Sequence, residues 1–178
     1  MLPEKVHVVT VNELDEQTGT MEKMEAHQLG ILHRAFSVFI LNDNNELLLQ
    51  QRAKKKYHSG GLWTNTCCSH PMPEENTVSA AERRLKEEMG IECRVDPAFT
   101  FVYKADVGDG LIEHEYDHVF IGRYSGKCDA NPDEVNGYQY LSLNEIENWI
   151  KKRPGDFTVW MRIAFPRFLN YLEKEERS

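Results

Sequence analysis

Apolar and β-branched residues alternate with polar ones over residues 5–11, the period-two pattern of a strand with one buried face. Residues 35–41 and 46–51 are apolar runs separated by Asn42, Asp43, Asn44 and Asn45, which predicts a hairpin with Asn and Asp in its turn. Residues 77–89 carry apolar side chains at helical spacing and stop at Gly90, a residue suited to a left-handed cap. Strands are predicted over 99–105 and 112–121, around a turn containing Val107, Gly108, Asp109 and Gly110, and over 137–141. Ser142 and Glu145 make a capping box at the head of a helix that ends before Arg153 and Pro154. The last amphipathic stretch, 158–173, contains Pro166, which is expected to kink or split it. Strands and helices mix without strict βαβ alternation. That pattern predicts one α+β domain over residues 1–178, a sandwich with a mixed β-sheet and helices on its faces.

Charge removes several classes of function. Basic residues number 21 and acidic residues 29, so the chain carries a formal −8 and lacks the basic footprint of a nucleic-acid binder. No apolar run approaches the roughly 18 residues needed to span a bilayer. The N-terminal stretch has no basic segment followed by an apolar one, so no secretory signal is expected. Of the four cysteines, Cys67 and Cys68 are adjacent and Cys93 and Cys128 scattered, which is no disulfide framework. The expectation is a reducing, cytoplasmic setting with free thiols.

The 77–89 helix places Val78, Ala81, Leu85 and Met89 on one stripe. Glu88 falls roughly 20° from Ala81 on the helical wheel, with Arg84 one turn earlier. Two readings stand: a solvated Arg84–Glu88 pair, or a carboxylate aimed into a site. In the strand 112–121, Glu113 and Glu115 share a face, roughly 7 Å apart. Like charges there are destabilising unless a cation sits between them. With His27, His33 and His70 they can supply five ligands in the mixed N/O chemistry that suits Zn, Mn or Mg. Histidines in loops are also commonly just solvated, and His7, His58, His114 and His118 are read that way.

Glu75, Arg83, Leu85, Glu87, Glu88, Gly90 and Ile91 stand in the register of the Nudix signature, G-x5-E-x7-R-E-U-x-E-E-x-G-U with U aliphatic. Ser69 replaces its glycine and Arg84 one glutamate. The segments EKMEAHQLGILHRAFSVFI, LLLQQRAKKKYHSGGLWTNTCCSHP, RRLKEEMG and IEHEYDHVF go further. They resemble the type 1 isopentenyl-diphosphate Δ-isomerases, a Nudix-fold family, over about residues 6–166. The resemblance implies a Nudix-like α/β/α sandwich and conversion of isopentenyl to dimethylallyl diphosphate. The alkene would gain a proton, pass through a tertiary carbocation and lose a neighbouring proton.

The resemblance also assigns roles. Cys68 and Glu115, with Tyr103 beside Glu115, would handle the protons, and which is the acid stays open. Cys67 would point away. Trp160 would stabilise the cation through its ring face, while Trp63 is read as structural. Lys23, Arg52, Lys56 and Arg84 would hold the diphosphate, with Lys54 and Lys55 solvated. A divalent metal (Mn, Zn or Mg) would sit on His27, His33, His70, Glu113 and Glu115. A second Mg would sit on Glu88 with the diphosphate. The expected partner is a small isoprenyl diphosphate, with no nucleic acid, membrane or obligate protein partner. The rival reading is a Nudix pyrophosphohydrolase acting on a nucleoside diphosphate derivative. Arg84 in place of a box carboxylate, and the Cys/His/Glu set, speak against it.

Overall fold

The computed structural model describes residues 5–178. Strands β1 (His7–Val11) and β2 (Gln17–Glu22) form an antiparallel hairpin that leads into helix α1 (Lys23–Leu29). Next come β3 (His33–Leu41), β4 (Leu47–Arg52) and the two short strands β5 (Trp63–Thr64) and β6 (Cys67–Ser69). Helix α2 (Thr77–Met89) precedes the long hairpin β7 (Val95–Gly108) and β8 (Leu111–Arg123). The chain closes with β9 (Val135–Leu141), α3 (Leu143–Lys152), one 3-10 turn at Pro154–Asp156, and α4 (Val159–Glu176).

All nine strands belong to one sheet. β3 runs parallel to β8, and the other pairings are antiparallel, so the sheet is mixed. β3 is buried on both faces, and its alternate side chains feed two separate cores. Phe36, Val38 and Ile40 pack with Ala81, Leu85 and Met89 of α2. Phe39 and Leu41 pack with Ile146 of α3 and with Met161, Ala164, Phe165 and Phe168 of α4. Helices on both faces of a mixed sheet make the α/β/α sandwich that the resemblance implied. Phe39 is fully buried and stacks on Phe168 with ring centroids 4.5 Å apart. Phe39→Ala is expected to lower stability by about 3–5 kcal/mol, read as a shifted urea midpoint at unchanged slope.

Helix α2 matches its predicted limits for the predicted reasons. Asn76 Oδ1 accepts from the backbone N–H of Val78 at 2.9 Å, and Gly90 ends the helix at φ 67°. A Cβ on Gly90 would also lie 2.5 Å from the Asp129 carbonyl oxygen, so this cap admits only glycine. The Ser142 capping box forms as read. β7 and β8 extend several residues beyond their predicted ends, because pairing continues down to the turn at Asp109 and Gly110. Pro166 does not split the last helix, which is continuous from Val159 to Glu176. The missing N–H costs one backbone bond, but Met161, Ala164, Phe165 and Phe168 are buried on both sides of it and hold the two halves to the sheet. β2, α1, β5 and β6 have no counterpart among the predicted elements. They are short, and tertiary contacts rather than local pattern define them. α1 is capped at its start by Glu22 and stopped by Gly30 at φ 64°.

Candidate active site

Register carries the site. His33 pairs with Glu115 across β3 and β8, and Tyr103 pairs with Glu115 across β8 and β7. Ser37 pairs with Cys68 of β6. Paired residues point to the same side of a sheet, and so do residues two apart along a strand. One face therefore gathers His33, Ser37, Cys68, Tyr103, Glu113, Glu115 and Asp117. Cys67 takes the other face and is fully buried in the core under α2. α1 supplies His27, and the turn after β6 supplies His70.

The imidazoles are aimed by their far nitrogens. His27 Nδ1 lies 2.6 Å from the Lys23 carbonyl oxygen, and His33 Nδ1 lies 2.8 Å from that of Ile31. A carbonyl only accepts, so each Nδ1 carries the hydrogen and each Nε2 presents a lone pair. His27 Nε2 lies 3.6 Å from Glu113 Oε1 and has no hydrogen-bond partner. His33 Nε2 lies 3.6 Å from Glu115 Oε1 and 3.2 Å from His70 Nε2, which is itself 3.0 Å from Glu115 Oε1. His70 Nε2 can donate to Glu115 Oε1, but the partnerless His27 Nε2 faces a carboxylate oxygen lone pair to lone pair, which repels unless a cation lies between them. Carbonyl-anchored imidazoles beside carboxylates are also how protein metal ligands are held. The donor set fits a divalent ion on chemistry alone, and His27, His33, His70 and Glu115 form one such group.

Burial alone would push Glu113 up, yet the imidazoles of His27 and His58 close to its carboxylate hold it well below the usual carboxylate range. Burial and the Glu113 charge push Glu115 upward, but His33 and His70 hold it below its ordinary value. Burial drives His70 down to about 4, so its ring is neutral and able to ligate. Tyr103 Oη lies 2.6 Å from Glu113 Oε2 and 2.8 Å from Glu115 Oε2. A phenol has one hydrogen, so it serves one carboxylate at a time. Glu115 thus turns Oε1 to the imidazoles and Oε2 to a hydroxyl that can pass a proton.

Cys68 Sγ lies 2.9 Å from Asn65 Oδ1, to which it donates. It accepts from the Trp160 indole N–H at 3.2 Å. Burial, with the Asp117 charge behind it, pushes the thiol up to about 12. The Trp160 ring already holds a cation near its face, with the Arg52 guanidinium carbon 5.1 Å from the ring.

Cys68, His70, Tyr103, Glu113, Glu115 and Trp160 line one cleft, whose remaining wall is cationic. Lys23, Arg52, Lys56 and Arg84 all face it. Arg52 Nε and Arg84 Nε are buried without partners. Burial, with the Lys56 and Arg52 charges, pushes Lys23 down to about 8. Crowded, under-satisfied cations of this kind call for an anion. Lys56 meets Glu134 at the cleft edge, whereas Lys55 pairs with Asp133 in solvent. Glu88 is buried in the same cleft, with Oε1 2.6 Å from Arg84 and Oε2 2.9 Å from Gln50. The pair expected from the helical wheel exists, but inside the site.

His114 and His118 point away from the glutamate face, to the Gly30 carbonyl and to Asp15. Trp63 packs on Trp149, as a structural residue would. The solvated reading of His58 is wrong. Its side chain is buried, with Nε2 2.9 Å from Glu113 Oε1. Its loop has no periodicity from which folding inward could be read. Asp117 stands outside the expected site residues, although the period of two that joins Glu113 to Glu115 extends to it. It is buried and accepts from Ser37 Oγ at 2.7 Å.

A family model described as the NUDIX domain matches residues 31–161. An isopentenyl-diphosphate Delta-isomerase of Pectobacterium atrosepticum is 51% identical over 173 residues, 96% of this chain and 97% of that one. The isopentenyl-diphosphate Delta-isomerase 2 of Aromatoleum aromaticum is 48% identical, covering 92% of this chain and 86% of its own. Among solved structures, a MutT protein of Methanosarcina mazei superposes with a TM-score of 0.66 at 20% identity, over 83% of this chain and 96% of that one. The last likeness speaks to the fold alone.

Proposed function

The chain belongs to the Nudix family, in its isopentenyl-diphosphate Delta-isomerase branch, and we propose that this cleft interconverts isopentenyl and dimethylallyl diphosphate with the residues assigned below. The observation that carries this reading is the meeting of two proton-bearing groups, Cys68 and Glu115–Tyr103, in a cleft whose other wall is four cationic side chains, two of them with a buried guanidinium nitrogen left without a partner.

Lys23, Arg52, Lys56 and Arg84 hold the diphosphate and fix the isoprenyl chain between the thiol and the carboxylate. One group delivers a proton to the terminal alkene carbon. Positive charge develops on the tertiary carbon, and the other group takes a proton from the neighbouring methylene, which re-forms the double bond. The reaction runs both ways, so each group is acid in one direction and base in the other. The Trp160 ring stabilises the cation without adding to it, worth about 2 kcal/mol when desolvated. The buried walls keep out water that would trap the cation as an alcohol. His27, His33, His70, Glu113 and Glu115 would hold a divalent ion (Mn, Zn or Mg), which would supply the positive charge that neutralises the two adjacent carboxylates. Glu88 would hold a second Mg with the diphosphate, once Arg84 turns from Glu88 to the phosphate oxygens. The four free thiols suit a reducing compartment such as the cytoplasm, and among the described residues no helix is long and apolar enough to cross a membrane.

Incubation with isopentenyl diphosphate and Mg²⁺ should yield the allylic isomer, seen by its proton NMR signals. Phosphate release from nucleoside diphosphate derivatives, with no allylic product, would instead establish the hydrolase. Arg84→Ala is expected to raise KM about 10–100-fold with a smaller change in kcat, since a charge-assisted hydrogen bond contributes about 1.5–3 kcal/mol. An unchanged KM would remove Arg84 from the diphosphate wall.

A further inference from the structure

We propose that His58 is a further ligand of the metal centre, which is then built from four imidazoles and two carboxylates around a single ion. The inference rests on reading the His/Glu cluster as a metal centre and adds a residue from a separate loop.

The loop between β4 and β5 is built to hold His58 inward. Arg52 Nη2 donates to the His58 carbonyl at 3.2 Å. A Cβ on Gly60 would lie 2.5 Å from the Lys54 carbonyl oxygen, so the loop closes tightly only with glycine there. The ring is 5% exposed by residue, with its edge to the Trp160 ring at a centroid distance of 5.7 Å. Nδ1 lies 3.1 Å from Ser59 Oγ, and a hydrogen on that nitrogen leaves Nε2 as the free lone pair.

Nε2 lies 2.9 Å from Glu113 Oε1, yet it is out of line for a hydrogen bond and has no partner. A close approach without alignment is what two adjacent ligands of one ion show. Donors about 2.1 Å from an ion and at right angles lie about 3 Å apart. The His70–Glu115 and His33–His70 approaches, 3.0 and 3.2 Å, have the same spacing.

The donors fall into two groups, His27 with His33, His70 and Glu115, and His27 with His58 and Glu113. His27 belongs to both, but its Nδ1 is committed to the Lys23 carbonyl. Its one remaining lone pair can bind one ion. A shared ligand with a single lone pair serves one ion, so the two groups, which do not all lie within 4.8 Å of one another, would draw together around it on binding. Six protein donors would close the coordination sphere, leaving no position for water or phosphate. Four imidazoles would also bias the centre toward Zn, Co or Mn over Mg.

The test compares purified full-length protein with His58→Ala and His58→Gln, loaded with Co²⁺ or Mn²⁺ after chelator treatment. The expected wild-type result is one ion per chain by elemental analysis. Both variants should bind it at least about tenfold more weakly. Their Co²⁺ visible band should shift, and Mn²⁺ water-proton relaxation should rise as water takes the vacated position. Proton NMR of the Co²⁺-loaded wild type, which needs no variant to fold, should show four paramagnetically shifted imidazoles. Three shifted imidazoles, or folded variants with an unchanged Co²⁺ band, would overturn the assignment and leave His58 as a residue that orients Glu113. Two ions per chain would overturn the single centre. A wild type that binds no ion would overturn the metal reading itself, a failure distinct from that of His58 alone.

Discussion

Cys68→Ala is expected to lower kcat by about 10³-fold or more, while Cys67→Ala keeps kcat within a few-fold of the parent. The two residues are neighbours in sequence and share a side-chain chemistry, so only their placement separates them. β6 is extended, and extended neighbours point to opposite faces. Cys68 reaches the cleft, where Asn65 and Trp160 fix its sulfur. Cys67 is fully buried among Ala80, Ala81 and Leu85 under α2. Burial and the Glu88 charge push its thiol well above the ordinary range, so it is inert packing. A positioned proton-transfer group contributes about 10²–10⁴-fold, and loss of one of two such groups stops the cycle rather than slowing one step. The cost of Cys67→Ala should appear in stability, at about 1 kcal/mol for a small cavity. Steady-state kinetics of both variants, with circular dichroism to verify folding, check this. An inactive Cys67→Ala beside an active Cys68→Ala would mean that the strand register is shifted by one residue.

His27→Ala is expected to cut metal retained after dialysis at least about tenfold, with activity falling in parallel and returning in part at high added metal. His27 touches neither Cys68 nor Tyr103 in any described hydrogen bond, so its loss acts on the ion and not on proton transfer. Its ring is fully buried and anchored by the Lys23 carbonyl, so the variant leaves Glu113 and Glu115 facing each other with one neutralising partner fewer. Elemental analysis before and after added Mn²⁺ provides the reading. Full metal content in a folded His27→Ala protein would exclude it from the centre. Rescue by metal separates this case from Cys68→Ala, where no added ion should restore turnover.

Much of the fold follows from local pattern. α2 begins and ends where Asn76 and Gly90 dictate, and the Ser142–Glu145 box opens α3 as read. These signals are legible because each acts within one turn of helix. Pro166 misled for the complementary reason. Its local penalty is real, but burial of Phe165 and Phe168 outweighs it. α1 went unseen although it carries His27, since seven residues hold too little periodicity to separate helix from loop.

The amino-acid sequence by itself determined the shared face of Glu113 and Glu115, the departure of Arg84 from the Nudix box, and the family that these features resemble. Each depends on spacing along one strand or helix, where backbone geometry maps position to direction. Tertiary structure alone decided that Arg84 meets Glu88 inside the cleft rather than in solvent. It also decided that His58 folds in against Glu113. Those outcomes depend on how loops close across the sheet. Closure is governed by long-range contacts such as Arg52 with the His58 carbonyl, for which no periodicity in the chain stands as a sign.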